Sequence, residues 1–280
     1  MKNKLLISKF KDNAELSCAS YGYFHLVTGK NNPTFINVKD NKEQEVKREI
    51  LLTDILDSTY NGYEVYTPSR LPTLKPDKVG TLTGDFSPTQ AKNFLKKYDV
   101  LIHQPNTHSG FSATLFGEKR KQTNTQTKEV TYTNEGGYIN YILAIRGTET
   151  DNIKDYFADK NLLFKDTPKE QYFDMLLFYN QCIGKIPFYV ESDSIPQDRN
   201  SLEYEIWKVL YLRSTQSEYK PYIAESLLKD STLPPTSSNF TSPITATTKL
   251  TLTGHSLGGC LAQLFCICNK KYSKTQRIAI

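Results

Sequence analysis

The stretch Lys249–Cys268, KLTLTGHSLGGCLAQLFCIC, decides how the rest of the chain is read. Leu250 and Leu252 alternate with threonines up to Gly254, the period of a strand, and after Gly259 the residues Leu261, Leu264, Phe265 and Cys268 recur at helical spacing. Ala262, Cys266 and Ile267 fill the gaps, which predicts a helix apolar nearly all round and therefore buried. Between strand and helix lies Gly254-His255-Ser256-Leu257-Gly258, a G-x-S-x-G spacing. A serine on a sharp strand-to-helix turn crowds its neighbours, and glycine on both sides leaves room for them. Such a turn lifts Ser256 Oγ clear of the sheet. It also sets the serine at a helix N-terminus, where unpaired N–H groups and the helix dipole favour the negative charge of a tetrahedral intermediate. The Leu257 N–H is expected to be one oxyanion donor. His255 is adjacent on a tight turn, where neighbouring side chains point apart, and is read as structural.

With the strand before it, T-G-H-S-L-G-G resembles the α/β-hydrolase superfamily and, within it, the class 3 (fungal-lipase-like) triacylglycerol lipases and phospholipases. The resemblance implies an α/β fold, a three-layer sandwich with a mostly parallel central sheet. It implies hydrolysis of carboxylic esters of acyl lipids through an acyl-enzyme on Ser256, with no metal or organic cofactor. Further upstream, Tyr138–Ile145, YINYILAI, has the near-continuous apolar run of a central strand covered on both faces, and it leads into Arg146-Gly147-Thr148. The family carries an arginine-glycine-serine/threonine motif here whose last residue supplies the second oxyanion donor, so the resemblance gives that role to Thr148. Asp151–Leu163 matches the family's aspartate-aromatic-aspartate segment, with Asp155, Tyr156 and Asp159 in the corresponding places. A structural role is expected for these carboxylates, pinning the oxyanion loop by pairing with Arg146.

Helices are predicted at Lys11–Thr28, Asp40–Asp57, Thr89–Tyr98, Glu170–Ile183 and Asn200–Leu212, and short strands at Asp99–His103 and Gly110–Phe116. Pro68–Gly84, Pro187–Gln197 and Ser231–Thr248 are rich in turn-forming residues and are predicted loops; the last is a flexible connection or part of a lid. Residues 118–137 are polar and are expected to form the tip of a long hairpin. His103 and His108 sit in or beside a polar loop and are expected to be solvent-exposed.

A serine hydroxyl needs a histidine to take its proton and a carboxylate to orient that histidine, in the superfamily order Ser, Asp or Glu, His. From Ser256 to Ile280 there is no Asp, Glu or His. The expectation is a lipase-like domain over 1–280 lacking its last strands, a front part of a longer enzyme. Other readings are an enzyme completed by a second polypeptide that supplies the acid and base, or a catalytically inactive lipid-binding or interaction protein. A rewired triad through His103 or His108 would need an unusual fold.

Composition narrows the classes. A chain of 280 residues with 38% hydrophobic content can bury one large core. Its net charge of +5 comes from 35 basic and 30 acidic residues without a long run of one sign, which is no nucleic-acid footprint. Lipid or a small ester is the expected partner, with peripheral membrane contact. The five cysteines, Cys18, Cys182, Cys260, Cys266 and Cys268, are an odd number and read as reduced core thiols suited to a reducing compartment. In MKNKLLISKFKDN the apolar run is only Leu5-Leu6-Ile7, too short for a signal peptide, and no stretch approaches the ~20 apolar residues of a membrane span. A cytoplasmic location is expected.

Overall fold

The apolar run ending at Ile145 is the middle of a six-stranded sheet in the computed structural model of the chain, which describes residues 2–29, 33–69, 75–147, 169–268 and 277–278. The first half comprises α1 (Lys2–Ala19), β1 (Phe35–Lys39), β2 (Glu45–Glu49), α2 (Leu52–Leu56), β3 (Glu64–Tyr66), β4 (Lys78–Thr81), α3 (Pro88–Lys97), β5 (Tyr98–Gln104), β6 (Ala113–Glu118), β7 (Arg120–Thr123), β8 (Val130–Thr133) and β9 (Asn140–Ile145). Then come α4 (Lys169–Cys182), α5 (Leu202–Thr215), β10 (Tyr222–Ile223), β11 (Leu250–Gly254), α6 (Leu257–Cys268) and β12 (Arg277–Ile278). The main sheet has the order β10-β5-β6-β9-β11-β12. From β9, Ile142 and Ala144 enter a core shared with Leu16 and Ala19 of α1 and Phe94 of α3. Leu143 and Ile145 enter a second core, with Met175 and Phe178 of α4 and Leu261 and Phe265 of α6. Burial on both faces is why this strand carries no polar alternation.

The expected mostly parallel α/β-hydrolase sheet is not what the chain forms. β10–β5, β5–β6 and β6–β9 pair antiparallel, and among the described residues of this sheet parallel pairing is confined to β9–β11 and β11–β12. A smaller sheet, β2-β1-β3-β4, is antiparallel throughout. The connections explain this. Parallel neighbours need a crossover of about a dozen residues or more. Only eight residues, 105–112, join β5 to β6, and a two-stranded hairpin of β7 and β8 joins β6 to β9. The long segment from β9 to β11, which carries α4 and α5, is the crossover that allows parallel pairing.

Local readings change as well, and the helix expected over Lys11–Thr28 runs instead over Lys2–Ala19. The helix expected over Asp40–Asp57 is instead the β1–β2 hairpin followed by the short α2. Asp40 Oδ1 accepts from the Lys42 and Gln44 N–H groups at 2.8 and 2.9 Å, and Glu43 takes φ +61°, so the side chain of Asp40 builds a turn where a helix would start. The predicted loop Pro68–Gly84 contains β4. The helix α6, expected to be apolar nearly all round and buried, is buried on one side only: Leu261, Ala262, Phe265 and Cys266 face β9, β11 and α4, whereas Cys260, Ile267 and Cys268 are exposed. Its contact with α4 includes an edge-on pair of Tyr179 and Phe265, 4.9 Å between centroids. The hairpin tip, α3, α4 and α5 stand close to their predicted places. Ser87 caps α3 through Oγ to the Gln90 N–H, with Pro88 at the first helical position.

Residues 231–248 hold no helix or strand and are tied by Asn239, whose Nδ2 donates to the carbonyls of Asp230, Leu233 and Pro234.

Candidate active site

One line of paired residues crosses the main sheet, Gln104 to Ala113 to Ile145 to Gly254. β5 and β9 both run antiparallel to β6, so the C-terminal ends of β5, β9 and β11 share one edge. That edge carries the loop 105–112, the Arg146-Gly147 turn and the G-x-S-x-G segment.

Ser256 sits between the last residue of β11 and the first of α6, is exposed, and has φ +53°. The other positive-φ non-glycine residues among those described, Glu43 and Lys128, lie in hairpin turns. A left-handed backbone costs a serine about 1–2 kcal/mol, and it is held here by the packing around it. The glycines show how tight that packing is. A Cβ on Gly254 would lie 2.5 Å from the Gly258 carbonyl carbon, and one on Gly258 would lie 2.2 Å from the Ile145 carbonyl oxygen. The two glycines therefore let β11 fold back onto α6 and let α6 start against the end of β9. The helix closes with Gly258 and Gly259 N–H donating to the His255 and Ser256 carbonyls, both at 3.0 Å. Leu257 is the first residue of α6, so its N–H is among those with no acceptor inside the helix.

Gly147 brings the end of β9 to the serine. A Cβ there would stand 2.6 Å from the His255 carbonyl oxygen, 2.7 Å from Tyr21 Oη and 3.2 Å from Ser256 Cβ. Thr148, the expected second oxyanion donor, lies outside the described residues, as do Asp155, Tyr156 and Asp159. Arg146 is 5% exposed, donates from Nη2 to Asn106 Oδ1, and packs over the rings of Tyr21 and Tyr23 at 5.9 and 5.5 Å. Its backbone N–H donates to the Ser112 carbonyl at 3.0 Å, which fastens this turn to the loop after β5.

The four histidines part ways. His255 is exposed, and its Nδ1 is 3.0 Å from Tyr21 Oη, in keeping with a structural role. His103, expected to be exposed, is fully buried in β5. Its ring stacks on His25 at 5.5 Å, its Nδ1 lies 2.9 Å from Thr114 Oγ1, and its Nε2 faces His25 Nδ1 at 3.4 Å. Burial, with Arg146 nearby, pushes His25 down to about 4; burial and then the charges of His25 and Arg146 push His103 well below the usual imidazole range. His108 is exposed at a cleft of about 430 Å³ between α4 and α5, where Asp174 pairs with Arg213. Among the described residues no histidine is hydrogen-bonded to Ser256.

Tyr21 is the residue the sequence did not announce. It follows α1 and reaches His255 across a separation of 234 residues, a contact that has no local signal. An exposed hydroxyl at a helix N-terminus, braced by a second backbone turn, is suited to attack an electrophilic carbon and to receive negative charge nearby. The chain matches no family model, no curated protein and no solved structure.

Proposed function

We propose that the chain is a serine hydrolase of carboxylic esters acting on acyl lipids, in the manner of the class 3 lipases that its T-G-H-S-L-G-G segment resembles. The observation that carries this reading is Ser256 itself, exposed at φ +53° between β11 and α6. Ser256 Oγ would attack the ester carbonyl carbon as its proton passes to a base. The Leu257 N–H and Thr148 would hold the oxyanion, the alcohol would leave with a proton, and water would release the acid from the acyl-enzyme. The closeness of Gly147 to Ser256 supports the role of Thr148, the next residue. The base and its orienting acid are supplied in this reading by a second polypeptide or by sequence outside residues 1–280. A reducing compartment, the cytoplasm, suits the five free thiols. Among the described residues no helix is long and apolar enough to cross a membrane.

A fluorophosphonate probe, with and without added imidazole, tests the reading. The expected result is phosphonylation of Ser256 that imidazole accelerates, because imidazole can stand in for an absent histidine. A Ser256→Ala chain should show neither effect. That no histidine among the described residues is hydrogen-bonded to Ser256 favours a second reading, a lipid-binding or interaction protein without catalysis. Labelling no faster than in Ser256→Ala, with or without imidazole, would establish it and defeat the first.

A further inference from the structure

The amino-terminal half of α1 is chemically unlike the half that packs on the sheet. From Asp12 onward the helix is fixed: Asp12 pairs with Lys97 at 2.8 Å, Ser17 Oγ meets Thr253 Oγ1 at 2.8 Å, and Leu16 and Ala19 are buried. Before Asp12 the described side chains turn to solvent, and Leu6, Ile7 and Phe10 are 52%, 67% and 54% exposed. At about 100° per residue these three fall on one arc of about 100°, with Lys9 on one flank and Lys4 and Lys11 on the other. Residues 1–11 contain four lysines and no acidic residue. The flanking lysines are exposed, and lysine stems can lie along an apolar surface while their ammonium groups stay in water.

We infer that this half-helix is a docking surface for an anionic lipid membrane, lying in the interface plane with Leu6, Ile7 and Phe10 among the acyl chains and Lys4, Lys9 and Lys11 at the phosphates. An apolar stripe bordered by cations matches both layers of such a surface. A second copy of the chain would bring the same lysines against each other, which argues against self-association as the cover for this face. The support is rigid, because the rest of α1 is bolted to β11 and α3, so no folding cost attends binding. The inference does not rest on ester hydrolysis: it concerns residues remote in sequence from Ser256.

Co-sedimentation of the full chain with vesicles tests it. Vesicles of phosphatidylcholine containing phosphatidylglycerol should retain the chain about tenfold better than phosphatidylcholine alone, and added salt should weaken the retention. Combined Leu6→Ser, Ile7→Ser and Phe10→Ser should lower binding about tenfold or more, as should Lys4→Glu with Lys9→Glu, and both should keep the wild-type thermal melt because the positions are exposed. Ser256→Ala should bind like wild type, which separates this inference from the hydrolase reading. No vesicle binding, or equal binding by the triple serine variant, would overturn it. So would a dimer in size-exclusion chromatography that the triple variant dissolves, since a second copy would then be what covers the face.

Discussion

Gly147 leaves no room for a side chain beside Ser256: a methyl group on the Gly147 Cα would come within 3.2 Å of the serine Cβ, although β9 and β11 are separated by more than a hundred residues of chain. The contact exists because β9 and β11 are parallel neighbours that end in register, Ile145 opposite Gly254. Two turns that are unremarkable alone thus become one site.

Gly258 should be the least tolerant position of the turn between β11 and α6. In Gly258→Ala the new methyl would meet the Ile145 carbonyl oxygen at 2.2 Å, a backbone atom that cannot rotate away. A loss of about 1–3 kcal/mol is expected in urea unfolding, together with slower probe labelling of Ser256. Gly259→Ala meets the Gly254 carbonyl oxygen at 3.2 Å and should cost clearly less. Equal costs for the two variants would contradict the tighter packing at Gly258.

Ser256→Gly should stabilise the fold while removing the proposed nucleophile. At φ +53° a glycine relieves the left-handed strain, so thermal unfolding should show a gain of about 1 kcal/mol, partly offset by the greater freedom of glycine in the unfolded chain. Ser256→Ala keeps the strain and should melt like wild type. A glycine variant no more stable than the alanine variant would mean that the turn relaxes in solution.

The His25–His103 pair should make the fold acid-sensitive. Both are neutral when folded, with His25 lowered to about 4 and His103 well below its usual range. The unfolded chain takes up protons near 6.5 that the folded chain refuses. Stability is therefore full above that pH and falls as pH drops towards 4, by about 1.4 kcal/mol per pH unit for each histidine. Urea midpoints at pH 7.5 and 5.0 should differ accordingly, and His103→Gln should shrink the difference.

Asp174 should be costly to remove. Its carboxylate accepts from Thr107 and Ser109 at 2.6 and 2.7 Å and pairs with Arg213; Thr107, Asp174 and Arg213 are buried and Ser109 is half-buried. Asp174→Ala leaves a buried guanidinium without its counter-charge, with an expected loss of about 3–5 kcal/mol in denaturant unfolding. Adding Arg213→Met should recover part of that loss, because the uncompensated charge goes with it. No recovery would place the cost in the lost hydroxyl bonds instead.

The sequence by itself determined the elements whose causes are local. G-x-S-x-G after alternating leucines demands a strand, a cramped turn and a helix, because only glycines fit beside a serine held that way. The run before Ile145 marks a strand with no wet face, and Ser87-Pro88 marks a helix start. Tertiary structure decided strand direction, which depends on which strands become neighbours; the short 105–112 connection already favoured an antiparallel pair, against the expectation taken from the resemblance. It also decided burial. His103 looks like a loop residue until β5 is covered by His25 and Phe24, and Tyr21 gains its place beside His255 and Gly147 only when α1 packs on β11. Sterics within a few residues can be read along a chain, whereas desolvation and contact across 234 residues exist only after folding brings the partners together.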